Sequence, residues 1–466
     1  MIKYARLESR NTMSTPKKNS THTIDITAVT AKGFGVGHID GFTVFVDGGL
    51  PGDKLQIYML KAKSRYGYGK ITEILKPSPH RIESLCPVFD RCGGCQWQNC
   101  EYKAQLGFKK QIVIDTLERI GGIQNPPVAD VMGMLKPGNY RNKAVFPVVP
   151  ADNAHGFAIG MFSARSHRIV EIDNCNIQHP AHVGVLKVIK KYMRRNKISA
   201  YNETTHKGLM RFVMIRTSLA TKEVMVVLTV NGNGLPLESR LAEDLETIGV
   251  TTLVISRHTE KSNVVLGDHF RVVSGSGFIR ERIGYVTYQI SAPSFFQVNP
   301  VQTKALYEVA VAQANCRGKV VLDAQVGAGG VSLYAAKHAR EIIGVDIVQA
   351  AIDDGVRNAE LNDIGNLRFI CGAAEEVIPP MLASGEIAPE VVFLDPPRRG
   401  CEPTLLNALV AAQIKRIVYI SCDPATLARD VKVLVAGGYR LVEVQPVDMF
   451  PQTGKVEVSC LLELPQ

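Results

Sequence analysis

From Lys319 onward the sequence alternates between short β-branched runs and amphipathic stretches. No other feature constrains the fold as much. Strands read at "KVVLDAQV", "EIIGVDIV", "LRFICG", "EVVFLDPP", "RIVYISC", "YRLVEVQPV" and "VEVSCLLEL". Helices read between most of them, at "VSLYAAKHA", "QAAIDDGVRNAELN", "TLLNALVAAQ" and "ATLARDVKVLVAG". Such repetition predicts an α/β fold, a doubly wound sheet with helices on both faces. The last two strands have no helix between them and are expected to pair antiparallel.

Ligands of such sheets sit beyond the carboxyl ends of the strands, which selects residues. "DAQVGAGG" places Gly327, Gly329 and Gly330 at the first strand-to-helix turn, where the backbone and a helix N-terminus can approach a ligand. Asp346 ends the second strand, placed to accept from ribose hydroxyls. These features suit NAD and S-adenosylmethionine alike. "FLDPPRRG" decides between them, because the acid–Pro–Pro turn at Asp395, Pro396 and Pro397 is a methyltransferase feature. The fifth strand ends in "YISCDPATLARD". Cys422 thus stands beside the expected cofactor and ahead of a helix, where a thiol is expected to have a lowered pKa and to attack as thiolate.

The N-terminal part differs. Four short strands, "HTIDITAVT", "GFTVFVDG", "DKLQIYMLKA" and "YGYGKITEIL", punctuated at "GLPGD", predict a small antiparallel barrel of the OB type. "KAKSRYGYGK" sets Lys61, Lys63, Arg65 and Lys70 among Tyr66 and Tyr68, cations for phosphates beside rings for bases. Charge supports this division. Residues 1–80 carry 12 Lys+Arg against 6 Asp+Glu, and residues 318–466 carry 13 against 19. With a net charge of +10, the first 317 residues therefore hold a surplus of +16, as expected of a polyanion-binding region attached to a chemical module. Between them, "YKAQLGFKKQIVIDTLERIGG" reads as a helix, and residues 140–290 mix strands and helices. Arg141 and Lys143 of "NYRNK", and Arg211, are candidate RNA contacts.

Residues 1–17 are polar and expected to fray, and Met13 opens a second plausible start. No apolar run approaches a bilayer span and the N-terminus has no h-region, so the expectation is a cytoplasmic protein with no membrane partner. Thiols stay reduced there, and clustered cysteines suggest metal or catalysis. "CPVFDRCGGC" carries Cys86, Cys92 and Cys95 spaced C-x5-C-x2-C. Iron–sulfur and zinc both remain open on that spacing.

Taken together, "CPVFDRCGGCQWQ", "NYRNKAVFPV", "SFFQVNP", "LDPPRRG", "YISCDPATLARD" and "DMFPQTGKVE", in this order behind the barrel, make the chain resemble the RNA uracil-5-methyltransferase family, specifically its 23S rRNA branch. The resemblance covers nearly the whole length. It implies a TRAM barrel at 18–78, a central α+β RNA-binding domain with an iron–sulfur segment at 79–290, and a class I methyltransferase domain at 291–466. It implies Cys422 as nucleophile toward uracil C6 and Glu457 of "GKVEVSC" as the base that removes the C5 proton. Asp395 would hold substrate or cofactor, Gln297 the amino-acid end of S-adenosylmethionine, and Gln325, Gly327, Gly330 and Asp346 the rest of that cofactor. Cys86, Cys92, Cys95 and the distant Cys175 would ligate a 4Fe-4S cluster, with Cys100 the rival fourth ligand. A monomer acting on 23S rRNA is expected.

The chain departs from the family around the cofactor. Gln325 and Val326 stand where an aromatic and a cysteine are usual, Gly330 where a larger residue is usual, and Ala373 where an Asp binds the adenine amino group. Each missing interaction is worth about 1–3 kcal/mol, with Glu375 and Glu376 nearby as substitutes. Three other readings follow: an RNA-binding protein with impaired cofactor binding, methylation of a tRNA uridine, and an exocyclic-amine methyltransferase, whose chemistry needs no thiol.

Overall fold

Five strands close an N-terminal barrel in the order β1-β2-β3-β5-β4: β1 (Thr21–Val29), β2 (Phe34–Ile39), β3 (Phe42–Asp47), β4 (Lys54–Ala62) and β5 (Tyr66–Lys76). The computed structural model describes residues 15–465; the second plausible start at Met13, and most of the tail expected to fray, lie outside the described residues. Alternate residues point inward, so Phe42, Val44 and Val46 of β3 meet Leu55, Ile57 and Met59 of β4 in a dry core. Two expectations need correction. The glycine-rich β2, "FGVGHI", is a fifth strand; its neighbour β3 gives it the partner that its propensity does not. Closure is also not wholly antiparallel, since β3 and β5 run parallel. Gly67 and Gly69 of β5 face inward, where a Cβ on Gly67 would lie 2.6 Å from Met59 Cε. That turns Tyr66 and Tyr68 to the outer surface.

After a cysteine-bearing loop and α1 (Tyr102–Arg119), the central sheet runs β12-β11-β10-β9-β6-β7-β8. Its strands are β6 (Lys143–Pro150), β7 (Phe157–Phe162), β8 (Ile169–Glu171), β9 (Met210–Thr217), β10 (Val224–Val230), β11 (Thr252–Arg257) and β12 (His269–Ser274). Helices α2 (Ala181–Arg195) and α3 (Glu238–Glu246) cover one face through Val185, Leu186, Ile189, Leu241 and Leu245. The other face contributes Met214, Met225, Val227 and Val254 to the core of the C-terminal unit, together with a hairpin of β13 (Phe278–Ile283) and β14 (Val286–Ser291). β9 and β10 are buried on both faces, which is why β10 reads as a nearly continuous apolar run, while β9 buries Arg211 and Arg216 among its apolar residues.

The C-terminal sheet has the order β17-β16-β15-β18-β19-β21-β20: β15 (Val320–Asp323), β16 (Glu341–Asp346), β17 (Leu367–Cys371), β18 (Val391–Leu394), β19 (Arg416–Ser421), β20 (Arg440–Val447) and β21 (Glu457–Glu463). Around it lie α4 (Pro300–Ala314), α5 (Gly330–Ala335), α6 (Gln349–Leu361), α7 (Ala374–Ser384), α8 (Pro403–Ala411) and α9 (Pro424–Ala436). The final two strands pair antiparallel, and β21 inserts between β19 and β20. Helix α7 escapes sequence reading because it contains Pro379 and Pro380. Pro379 is half-buried and Pro380 exposed, while Ala374, Ile378 and Met381 anchor the helix in the core. No helix of the described residues is long and apolar enough to cross a membrane.

Candidate active site

Sheet topology brings the predicted residues to one edge. Asp323, Asp346 and Asp395 stand at the carboxyl ends of β15, β16 and β18, and Cys422 follows β19 directly. Glu457 opens β21. Because β21 runs against β19, with Val458 paired to Ser421, its first residue arrives at the same edge as the thiol. Asp423 caps α9, its carboxylate accepting from Ala425 N at 2.9 Å, with Pro424 in the first turn. That stop fixes Cys422 between strand and helix.

The electrostatics differ from the expectation for Cys422. Its thiol is pushed up to about 11, first by burial and then by the Glu457 and Asp395 carboxylates, with Arg398 acting in the opposite direction. A helix N-terminus lowers a thiol pKa where water and cations dominate; here two acids and a dry wall outweigh it. Burial and Asp395 raise Glu457 to about 8, against Arg398 and Lys455. Burial and Asp323 raise Asp395 to about 7. Near neutral pH the pocket therefore holds a neutral thiol beside a carboxyl that retains its proton. Glu457 is buried, Cys422 half-buried and Arg398 exposed.

The neighbouring cradle has room for a cofactor. Gly327 sits at φ 54° with nothing within 4 Å of where a Cβ would be, while its N–H donates to Asp346 Oδ2 at 3.0 Å. Ile347 and Val348, just past Asp346, are 68% and 53% exposed, an apolar shelf suited to a planar heterocycle. Gln325 does not merely replace an aromatic. Its Oε1 accepts from Asp395 N at 3.1 Å, tying the glycine loop to the Asp-Pro-Pro turn. Val326 packs over Gly344, 2.7 Å from where its Cβ would stand. Gly330 is explained by a residue the sequence did not single out: Tyr307 of α4 places its hydroxyl 3.1 Å from a Gly330 Cβ. The Tyr307 hydroxyl also lies near Asp395, Asp323 and Glu457, whose charges join burial in raising it. Glu375 is half-buried and pairs with Arg399 at 3.7 Å, and Glu376 is exposed.

Motifs far apart in the chain interlock. Buried Asn142 of "NYRNK" donates its N–H to Val298 O at 2.9 Å and its Nδ2 to Gln297 O at 3.2 Å, holding the "FFQVNP" turn. Lys143 is half-buried and lowered to about 7 by burial, Arg216 and Arg141. Arg211 is a correction: it is buried, and its guanidinium donates to His258 O, Glu260 O and Ser262 O at 2.6–2.9 Å. It staples a loop and is not free to meet RNA.

Cys86, Cys92, Cys95 and Cys175 line one pocket of about 380 Å³, its open mouth included, with Val88, Phe89, Met161, Ile172 and Ile177 among its walls. Burial raises Cys95 to about 12 and also raises Cys92 and Cys175. Among the described residues no three His, Cys, Asp or Glu side chains gather as one metal ion would need. Cys100 lies elsewhere, packed with Leu50, Trp97 and Ile112.

Outside these pockets, Phe34, Phe45, Tyr66 and Tyr68 cluster on the barrel with ring centroids 5.6–5.9 Å apart. Lys63 lies 5.1 Å over Tyr66 and Arg165 5.2 Å over Phe34.

Comparison with known proteins agrees with this geometry. Residues 102–464 match the family described as tRNA (Uracil-5-)-methyltransferase, and residues 17–72 match the TRAM domain. A relative from Halalkalibacterium halodurans, described as an uncharacterized RNA methyltransferase, is 42% identical over 450 residues, 96% of this chain and 98% of its own. One from Clostridium tetani with the same description is 41% identical over 451 residues, 96% of this chain and 97% of its own. The crystal structure of Pyrococcus abyssi tRNA (uracil-54, C5)-methyltransferase in complex with S-adenosyl-L-homocysteine superposes with a TM-score of 0.76 at 28% identity, covering 95% of this chain and all of that one. With a thiol, an acid and an open glycine cradle at one sheet edge behind a TRAM barrel, the chain belongs to the tRNA (uracil-5-)-methyltransferase family, as an S-adenosylmethionine-dependent RNA methyltransferase.

Proposed function

We propose that the chain methylates C5 of a uridine in 23S rRNA through a covalent bond from Cys422 to C6. The observation that carries this is the antiparallel β21, which sets Glu457 beside Cys422 at the end of β19. Uracil C5 is a poor nucleophile. Once Cys422 has given its thiol proton to solvent, its Sγ bonds to C6 and the C5–C6 π electrons move onto C4–O4 as an enolate, which makes C5 nucleophilic. Bound S-adenosylmethionine supplies the electrophilic methyl group. Glu457, as carboxylate, then takes the C5 proton; the released pair re-forms C5=C6 and expels the Cys422 thiolate. Arg398 stabilises that thiolate. Gln297, Gln325, Gly327, Gly330, Asp346 and Asp395 are assigned to the cofactor, with Ile347 and Val348 beneath its ring. Neutral Glu457 and Cys422 suit a resting pocket that must admit RNA before either loses its proton.

Cys86, Cys92, Cys95 and Cys175 would hold a 4Fe-4S cluster with a structural role. Four thiols around a cavity, Cys86 buried and the other three half-buried, instead of about one point, suit a cluster with ligands at its corners better than a single tetrahedral zinc. Iron would also relieve the burial cost of their thiolates. The ribosomal assignment rests on this cysteine set. The similarity to an archaeal tRNA enzyme favours a tRNA uridine as the second reading. The aromatic and cationic barrel surface would stack and grip RNA around the target, and the chain would work in the cytoplasm as a monomer.

The test is tritium release from 23S rRNA, and separately tRNA, transcribed with uridine tritiated at C5, comparing wild type with Cys422→Ala. Release from 23S rRNA that needs both S-adenosylmethionine and Cys422 is the expected result. Release only from tRNA overturns the ribosomal assignment, and full activity of Cys422→Ala overturns the covalent mechanism.

A further inference from the structure

The catalytic edge accounts for few of the chain's cations. A different concentration lies on α2. Residues 174–202 contain six Lys/Arg (Lys187, Lys190, Lys191, Arg194, Arg195 and Lys197) and no Asp or Glu. The helix is sharply divided. Val185, Leu186, Ile189, Tyr192 and Met193 are buried against the central sheet, while Lys187, Lys191, Arg194, Arg195 and Lys197 are exposed. Of these six cations, among the described residues, only Lys190 meets a carboxylate, Glu171, at 2.7 Å.

A merely solvated helix face interleaves both signs, because like charges at i,i+3 and i,i+4 repel by a few tenths of a kcal/mol each. Here Lys187 faces Lys190 and Lys191, and Lys191 faces Arg194 and Arg195, with no acid between them. Arg194 and Arg195 in the last turn complement the helix dipole; Lys187, Lys190 and Lys191 gain nothing from it. The row extends over about 12 Å of helix axis. The helix itself offers no exposed Tyr, Phe or Trp, since Tyr192 is buried with its hydroxyl given to Pro236 O, although exposed His155 lies 3.4 Å from Arg194 Nη1. Cations without aromatics fit phosphates and not unstacked bases, in contrast to the barrel.

Placement adds the decisive constraint. α2 covers the face of the central sheet opposite the one that packs on the methyltransferase core. An RNA reaching both the catalytic edge and α2 must pass around the sheet, so the α2 contact is remote from the target nucleotide. We infer that the outer face of α2 is a second RNA-docking surface. It grips the sugar–phosphate backbone of a helical segment distant from the target uridine, irrespective of sequence. This rests on the RNA methyltransferase reading but concerns a surface the chemistry does not use.

The test reverses four exposed charges, Lys187→Glu, Lys191→Glu, Arg194→Glu and Arg195→Glu, with a second variant carrying Gln at the same positions to preserve helix propensity. Binding of full-length 23S rRNA transcript is titrated across salt concentrations, beside methylation of a minimal stem-loop around the target. With four phosphates no longer neutralised, the slope of log affinity against log salt falls by about 3 for both variants, affinity at low salt drops at least a hundredfold, and kcat/KM on the stem-loop is unchanged. An unaltered salt slope overturns the inference. So does an equal loss on the stem-loop, which would place the contact at the target. If wild type methylates no RNA, the functional reading fails while the salt slope still reports on α2.

Discussion

Gln105 of α1 and Gln452, in the loop before Glu457, exchange two hydrogen bonds of 3.0 Å: Gln105 Nε2 donates to Gln452 Oε1, and Gln452 N donates to Gln105 Oε1. Gln96 N and Trp97 N, next to Cys95, both donate to Gln452 O at 3.1 Å. Four residues earlier in the same loop, buried Asp448 pairs with buried Lys109 and accepts from Tyr102 at 2.7 Å. The cysteine loop and α1 thus hold the segment that delivers the proposed base. Gln105→Ala leaves several buried groups unpaired, at a cost of about 2–4 kcal/mol. It should lower the single-turnover methylation rate at least tenfold while RNA affinity stays within about twofold. Urea unfolding and single-turnover kinetics check both parts.

Glu457 can serve as the proposed base only after losing a proton it holds up to about pH 8. The methylation rate should therefore climb with pH through about 8 and continue to climb as Cys422, near 11, ionises. The first midpoint belongs to the Glu457–Asp395 pair together. Stability moves the opposite way. A carboxyl raised from 4.5 to about 8 contributes stability in full below pH 4.5, and that contribution is lost as pH rises to 8. Glu457→Gln should thus match wild type in Tm at pH 5 and exceed it by about 2–4 °C at pH 8. The same variant should stall after Cys422 adds, leaving an RNA–protein adduct that survives denaturing electrophoresis. Thermal melts at the two pH values, pH–rate profiles and gels decide.

Ala373 is the N-cap of α7, with extended backbone at φ −69° and ψ 126° and no side-chain cap. Ala373→Asp should cap the helix, worth about 1 kcal/mol, and offer the adenine amino group an acceptor. S-adenosylmethionine should bind about tenfold tighter, by calorimetric titration, with Tm raised. Unchanged affinity with a raised Tm would confine the residue to capping.

Removing a proposed cluster ligand should be visible without activity. Anaerobically prepared wild type should carry about four irons and four sulfides per chain with broad visible absorption. Cys175→Ser should lose both, and Cys100→Ser, away from the pocket, should keep them. One zinc per chain and no sulfide would overturn the cluster assignment.

Local periodicity and motif order made the C-terminal α/β unit, the barrel and the family legible, because period-2 and period-3.6 patterns and Asp-Pro-Pro or Cys-Asp-Pro turns act over a few residues. Local signals could not show that β21 inserts between β19 and β20, the pairing that carries Glu457 to Cys422. They could not give the thiol's pKa either. The helix N-terminus is written beside Cys422, but the acids that override it come from β18 and β21. The same separation hid Tyr307 behind Gly330, Gln325 beneath Asp395 and the use of Arg211 as a loop staple. The sequence determined which elements form and which chemical groups they carry. Tertiary packing decided which groups meet and how much water they keep, because burial and charge act through space between segments far apart in the chain.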